Sequence, residues 1–488
     1  MKTAAVFFNQ APQKPYRLSP SMVNGIIEDA VENAGYRIDE RQYSDVYHIH
    51  EHRMPFLHIR QAIPARRRID AASPVDLSVY CDTGLSICPP DRRASNKNIV
   101  VFHGLGSNHG LWLGNDSIDV FCANSRYLRD VLVSFLASPI WETQSVLDRR
   151  AFSCVDILSL AVPCTEEASG FIESLGESLP HEVAAILDGQ DIVGHALQGS
   201  AKIDRKATVA TMIYANRVAL ERGLARRVRL LVRADELGAL SEQLEHVEML
   251  RGAFADLRLS VDDVFVPVPL LRQRDLYDVF ARCQFGLAYN VYPEPFGFYV
   301  LESVFSGCPV YTNGAGAMRS TLPPGHGIHV YETEGMALGD LSEYAAVAET
   351  IVGDVAACAR LTAQCQLGRE YITTHYGRRN TYSDMNRCLA RAESVPREPV
   401  WEFQDLVLAL SPLVRIWNAA TGALVSDYTA MRLAANERDI LIGALGRTVA
   451  DVKRLFPGEE FGTIRRWFEQ GVLAFEVPES ERPSTSPD

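Results

Sequence analysis

The sequence predicts an α/β protein, two doubly wound domains facing a cleft and followed by a small, mostly α C-terminal domain. Through most of the chain short apolar runs alternate with longer amphipathic stretches, the pattern of parallel strands joined by crossover helices. That pattern breaks at Ala184-Ala-Ile-Leu-Asp-Gly-Gln190 and then restarts. Beyond the Pro-containing linker Ser394-Val-Pro-Arg-Glu-Pro-Val400 it changes to closely spaced helical periods. A chain of 488 residues is long for one domain and suits two of ordinary size plus an extra module. The divisions expected are 1–188, 189–393, 401–478 and a disordered tail, 479–488.

In the first domain, residues 3–8 read as the opening strand and 20–34 as an amphipathic helix that stops before Gly35. Further apolar runs follow at 45–50, 77–80, 99–102 and 118–122, each spaced to leave room for a crossover. Ligands in such sheets gather at the carboxyl ends of the strands. Two loops stand there: His103-Gly-Leu-Gly-Ser-Asn-His109-Gly, and Asn124-Ser-Arg126 opening a helix over 127–136. In the second domain strands are expected at 191–197, 228–232, 264–268, 285–289 and 310–312, with helices at 207–222, 274–283, 362–375 and 381–391. In the third, helices at 433–445, 448–455 and 463–470 precede a closing strand at 471–477.

The densest chemistry lies in Glu294-Pro-Phe-Gly-Phe-Tyr-Val-Leu-Glu302, followed by Ser-Val-Phe-Ser-Gly307-Cys-Pro309. Tyr289-Asn-Val-Tyr-Pro-Glu294 reads as a strand end breaking into a loop, after which apolar residues recur at helical spacing, so a helix starts near Gly297. Its first N–H groups lack intrahelical partners and lie at the positive end of the helix dipole, which suits phosphate or a hydroxyl-rich ligand. Glu294 stands just before that end, and Glu302 about two turns further on, where a carboxylate accepts hydrogen bonds from paired hydroxyls. Two glutamates at this spacing in an arbitrary chain are most often merely solvated, so the surrounding string decides. It resembles the signature of retaining glycosyltransferases of the GT-B fold, specifically glycosyltransferase family 4, over about residues 190–390 and more loosely before that.

The resemblance implies a fold of two Rossmann-like domains and a nucleotide-sugar donor. It implies that Glu294 contacts hydroxyls of the transferred sugar, and that the amides of Phe296, Gly297, Phe298 and Tyr299 hold sugar and diphosphate. Glu302 would accept hydrogen bonds from the ribose, the base would lie near Val268, and His103 would touch the donor sugar or its phosphate. The last helix, 381–391, is expected to cross back to the first domain. A diphosphate leaving group needs cations where negative charge grows. The family uses an Arg shortly after the first strand of the second domain and a Lys about six residues later. Here Gly194-His195 stands in place of Gly-Arg and the loop is longer, so Lys206 is assigned to the phosphate and Arg205 or Lys202 to the role of the missing Arg. The alternative is a solvated basic helix start, although basic residues there are disfavoured without an anion. No cofactor and no metal is implied, the donor being a substrate.

A net charge of −13 and a pI near 5.5 argue against a general binder of nucleic acid or anionic membranes. No apolar run reaches membrane-spanning length and no long signal core follows Met1, so a cytoplasmic chain is expected. The ten cysteines include no C-x-x-C pair and read as small core residues. His48, His50, His52 and His58 suggest a metal site by residue type, but no matching Cys or carboxylate set accompanies them. Residues 401–478 resemble a winged helix, including the small peptide-recognition modules found with enzymes that modify ribosomal peptides. From Trp401 to Asp488 there are nine Arg plus Lys and thirteen Asp plus Glu, which disfavours DNA. Capture of a peptide or protein acceptor and a purely structural role both stay open. The function expected is a retaining transfer of a sugar to a hydroxyl acceptor. The alternatives are a catalytically degenerate binding or scaffold protein, and a phosphorylase or epimerase on the same fold.

Overall fold

The computed structural model describes residues 2–8, 19–43, 67–68, 75–81, 87–88, 95–104, 117–137, 155–165, 179–199, 202–394 and 405–476. The run 45–50, the four clustered histidines, His109 and the tail 479–488 lie outside the described residues. The chain forms two compact units, one of Met1–Gln13, Leu18–Ala161 and Arg378–Asp488, the other of Lys14–Arg17 and Val162–Gly377.

In the first unit six parallel strands, β1 (Lys2–Phe8), β2 (Tyr36–Tyr43), β3 (Val75–Cys81), β4 (Ser95–Phe102), β5 (Val120–Ala123) and β6 (Val155–Ile157), lie in the order β2-β1-β3-β4-β5-β6. Central strands buried on both faces read as continuous apolar runs, as Ile99-Val-Val-Phe102 does, and these are the strands legible in the sequence. The edge strand β2 buries Tyr36 and Ile38 and turns charged residues outward, which hides it in the sequence. Helix α1 (Ser19–Asn33) buries Val23, Ile26, Ile27, Ala30 and Val31, a full i, i+3, i+4, i+7, i+8 stripe. Each larger side chain there contributes about 1.5–3 kcal/mol. Helix α2 (Arg126–Ala137) follows β5.

The helix Arg378–Ser394 returns to this unit. Arg378 donates two hydrogen bonds to Asp29, at 2.8 and 2.7 Å, and Arg387 and Arg391 both reach the buried Asp156 at 3.3 Å. Residues 405–476 also pack here: the Tyr127 hydroxyl on α2 donates to Asp427 at 2.7 Å. The three expected helices form over Ala435–Ala444, Val449–Leu455 and Glu459–Glu469, and the closing strand Leu473–Phe475 pairs antiparallel with Leu408–Leu410. A three-stranded antiparallel sheet, Val414–Asn418, Ala423–Ser426 and Ala430–Arg432, precedes the helices in addition to the elements expected there.

The second unit carries strands β7 (Ile192–Ala196), β8 (Val228–Arg233), β9 (Phe265–Val268), β10 (Phe285–Ala288), β11 (Val310–Thr312) and β12 (Ile328–Val330), all parallel, in the order β9-β8-β7-β10-β11-β12. Numbered within the unit, this is the 3-2-1-4-5-6 order of a dinucleotide-binding sheet, whose direction of winding reverses between β7 and β10. The division expected at 188/189 falls at 161/162 instead. Helix α3 (His181–Leu187) packs Val183 into the cluster of Val193, Leu231 and Val279, so it covers this sheet, and the apparent break at 184–190 is the end of that helix. On the other face α4 (Arg205–Glu221) buries Ala207, Ala210 and Ile213 with Phe285, Leu287 and Tyr289. Helices α5 (Leu237–His246), α6 (Glu248–Asp256), α7 (Gln273–Arg282), α8 (Phe298–Ser306) and α9 (Tyr344–Ala356) complete the layers that matter below.

Cys81, Cys122, Cys164, Cys283, Cys308, Cys358, Cys365 and Cys388 are free thiols. Among the described residues no helix is long and apolar enough to cross a membrane, and no group of three or more His, Cys, Asp or Glu is placed to hold a metal ion.

Candidate functional site

Three loops meet at the switch point of the second sheet, beyond the carboxyl ends of β7, β10 and β11. Val291 N donates to Lys202 O at 2.9 Å, joining the β7 loop to the β10 loop. Glu294 N donates to Ala315 O at 3.2 Å and Ala317 N to Glu294 O at 2.6 Å, joining the β10 loop to the β11 loop. Gly316 makes the second junction possible. Its φ is +73°, and a Cβ there would stand 2.4 Å from the Glu294 backbone, so no other residue fits.

Within this junction Lys202 Nζ and Glu294 Oε2 are 2.5 Å apart, with the Glu294 side chain largely buried. Each compensates the other's desolvation while no ligand is present. Glu302 lies one helix further in. It is buried, and its Oε1 accepts from Tyr277 OH at 2.8 Å and from Gln273 Nε2 at 3.2 Å, both on α7. Burial pushes the carboxyl up to about 7, against the pull of those two donors. Oε2 makes no hydrogen bond among the described residues and is the acceptor left for a ligand.

Between the two glutamates, α8 begins at Gly297, whose φ of +96° no side-chain-bearing residue adopts cheaply, and no side chain among the described residues caps the helix. The N–H groups of Phe298 and Tyr299 therefore face outward from the first turn as potential anion donors, while Val300 and Leu301 bond back to Gly297 O. The side chains of this stretch are structural. Phe296 is buried against Phe298 and Tyr376. The Tyr299 hydroxyl accepts from Leu197 N at 3.0 Å and pairs with His195 Nδ1 at 2.7 Å. Val268 ends β9 with its side chain in the core.

His195, where the resembled family has a cation, is a core residue. Its ring is fully buried between Tyr299 and Ser303, 2.9 Å from Ser303 Oγ, and packs on Phe280. Burial lowers its pKa to about 3, so the ring is neutral near pH 7 and supplies no charge to a phosphate there. The other basic candidates separate clearly. Lys202 is in the junction with Glu294. Arg205 is held by the buried Glu236 through two hydrogen bonds, of 2.9 and 3.2 Å. Lys206 is exposed on the first turn of α4. Sequence spacing ranked Lys206 first, because a strand-like return of 202–203 toward β10 has no local signature; that return is an isolated antiparallel bridge, Ile203 with Asn290.

His103 belongs to the first unit. It ends β4, is half-buried, and its carbonyl accepts from Asn124 Nδ2 of the next strand end at 3.3 Å, so the two loops singled out in that unit are linked.

No protein-family model matches the chain, and no curated protein matches it. Among solved structures it is similar to the sucrose-phosphate synthase of Thermosynechococcus elongatus, at 13% identity and a TM-score of 0.48 over 81% of this chain and 100% of that one. It is similar also to Anabaena HepE in complex with UDP-glucose, at 13% identity and 0.45 over 80% and 100%, and to a glycosyltransferase from Rickettsia africae, at 11% identity and 0.44 over 81% and 98%. At these values no activity carries over from them to this chain.

Proposed function

We propose that the protein is a retaining glycosyltransferase of the GT-B type that transfers a sugar from a nucleotide-sugar donor to a hydroxyl acceptor. The observation that carries this reading is Glu294-Pro-Phe-Gly-(four residues)-Glu302 built around the switch point of a 3-2-1-4-5-6 sheet, with Lys202 seated on the first glutamate and the second buried with one oxygen open. In this reading Glu302 takes the ribose hydroxyls and the first-turn amides of α8 take the diphosphate. Glu294 exchanges its Lys202 partner for hydroxyls of the sugar, which frees Lys202 to stabilise the departing phosphate. Lys202 thus takes the role that spacing assigned to Lys206, and His195 leaves the missing Arg unreplaced.

The acceptor hydroxyl attacks the face the diphosphate leaves, and the leaving phosphate takes its proton, so no protein nucleophile is required. This differs from a retaining glycosidase, which needs two carboxylates flanking the scissile bond. Residues 401–478 serve as the part that engages a peptide or protein acceptor. The neutral His195 favours a second reading, a binding protein that keeps the donor site but has lost turnover.

The experiment is a thermal-shift screen of the intact chain against UDP-, GDP-, TDP- and ADP-sugars, since a ligand that binds the native state alone raises its melting temperature. A shift with one of them, lost in Glu302→Ala, is expected; no shift with any sinks the donor site. Donor consumption in the presence of acceptor then separates the enzyme from the binding protein.

A further inference from the structure

We infer that Asn290 reads the donor sugar, its carboxamide hydrogen-bonding a hydroxyl of the transferred ring and so selecting which sugar the site accepts. The inference rests on the glycosyltransferase reading and adds to it a residue outside the Glu294-to-Glu302 string.

Asn290 is 3% exposed, yet among the described residues neither Oδ1 nor Nδ2 has a hydrogen-bond partner. Buried amides normally do. Asn216, equally buried in the same unit, makes the contrast: its Nδ2 donates to Met212 O and Val228 O at 3.0 and 2.9 Å, and its Oδ1 accepts from Val228 N at 3.0 Å. Asn216 ties a helix to a strand; the Asn290 side chain ties nothing.

Its main chain, by contrast, is held from three sides. Asn313 Oδ1 accepts from Asn290 N at 3.2 Å, Asn313 Nδ2 donates to Asn290 O at 2.9 Å, and Ile203 pairs across from it. The same contacts join the loops that carry Lys202 and Glu294. A rigidly held backbone with an unsatisfied polar side chain is the arrangement of a preorganised contact.

Strand alternation gives the direction. Leu287 and Tyr289 face the core under α4, so Gly286, Ala288 and Asn290 belong to the opposite face. On that face Gly286 abuts His195, which is bonded to Tyr299 and Ser303 of α8. Asn290 thus extends the α8 side of the sheet into the loop junction. A carboxamide with neither end paired matches a group that both donates and accepts, and a sugar hydroxyl is one. A phosphate, which only accepts, would leave Oδ1 unmatched, and the ribose is assigned to Glu302.

The test uses the intact chain and its Asn290→Ala and Asn290→Leu variants, each titrated with the best-shifting nucleotide sugar of the panel and with its parent nucleoside diphosphate. We expect the diphosphate to bind the variants as it binds the wild type, and the nucleotide sugar to bind them about tenfold more weakly. Melting without ligand should be unchanged or higher, because a buried unpaired amide has been removed. An unchanged preference for the nucleotide sugar over its diphosphate overturns the inference, as does loss of both ligands together with a lower ligand-free melting temperature, which marks a structural residue. If the wild type responds to neither kind of ligand, the parent reading fails and the inference with it. A wild-type response retained in full by the variants sinks the inference alone.

Discussion

Glu302 is a carboxylate kept where ionisation is costly, and its titration is the most direct handle on the site. Its folded pKa of about 7 lies above the ordinary value of 4.5, so the native state holds this proton more tightly than the unfolded chain does. The stabilisation is fully present below about pH 4.5 and is lost as pH rises through 7, amounting to roughly 3 kcal/mol. Ligand-free melting should therefore decline across that window, and Glu302→Gln should flatten this part of the curve. Donor binding through an ionised Glu302 has the opposite slope: affinity should fall about tenfold per pH unit below 7 in the wild type and not in Glu302→Gln, which calorimetric titration from pH 6 to 8 would detect. His195 has the converse sign. Its folded pKa lies below the unfolded value, so the neutral ring contributes stability above pH 6.5 that is lost as pH falls toward 3. The basic residues are told apart by turnover. Lys202→Ala should lower kcat by about a hundredfold or more if it meets developing phosphate charge, and Lys206→Ala, exposed on α4, should change it less than about twofold; equal losses in the two would return Lys206 to the site. The placement of Glu294 in a loop and of Glu302 on the helix that follows was legible in the sequence, because the turn and the helical spacing between them are local signals. Asn290 was not, because an unpaired amide is a property of its surroundings.

Among the elements, the loop after β11 controls the geometry. Gly316→Ala sets a Cβ 2.4 Å from the Glu294 backbone at a positive φ, so the loops must part. The expected cost is on the order of 2 kcal/mol or more, with nucleotide-sugar binding lost. Gly325→Ala is the control, since it shares the strained φ but meets no neighbour; if Gly316→Ala binds donor as Gly325→Ala does, the junction does not hold Glu294. Element legibility followed burial. Continuously apolar strands such as β4 and β7 were readable, whereas β2, polar on its outer side, and β12, a three-residue edge strand of the second unit's sheet, were not. Helix α4, expected at 207–222, forms over Arg205–Glu221 even though it is buried nearly all round and has little amphipathic contrast.

At the scale of the whole molecule, residues 405–476 belong energetically to the first unit. The buried Asp427 takes its hydrogen bond from Tyr127 of α2, and Arg415 lies 3.3 Å from the same carboxylate. Truncation after Ser394 should expose α2 and lower the melting temperature of what remains, or yield insoluble chain. Retention of the full melting temperature, with turnover lost only toward a macromolecular acceptor, would mark the segment as an independent acceptor reader.

By itself the sequence determined the α/β class, the switch from parallel α/β to helical C-terminal segments, and the loop-then-helix setting of Glu294 and Glu302, because periodic burial and a Pro- and Gly-marked turn are local properties. The tertiary structure alone decided that α3 covers the second sheet, that Lys202 and not Lys206 meets Glu294, and that His195 is a neutral core residue. Each of these depends on which distant groups exclude water from a side chain, as Phe280, Tyr299 and Ser303 do from His195, and no local pattern records that.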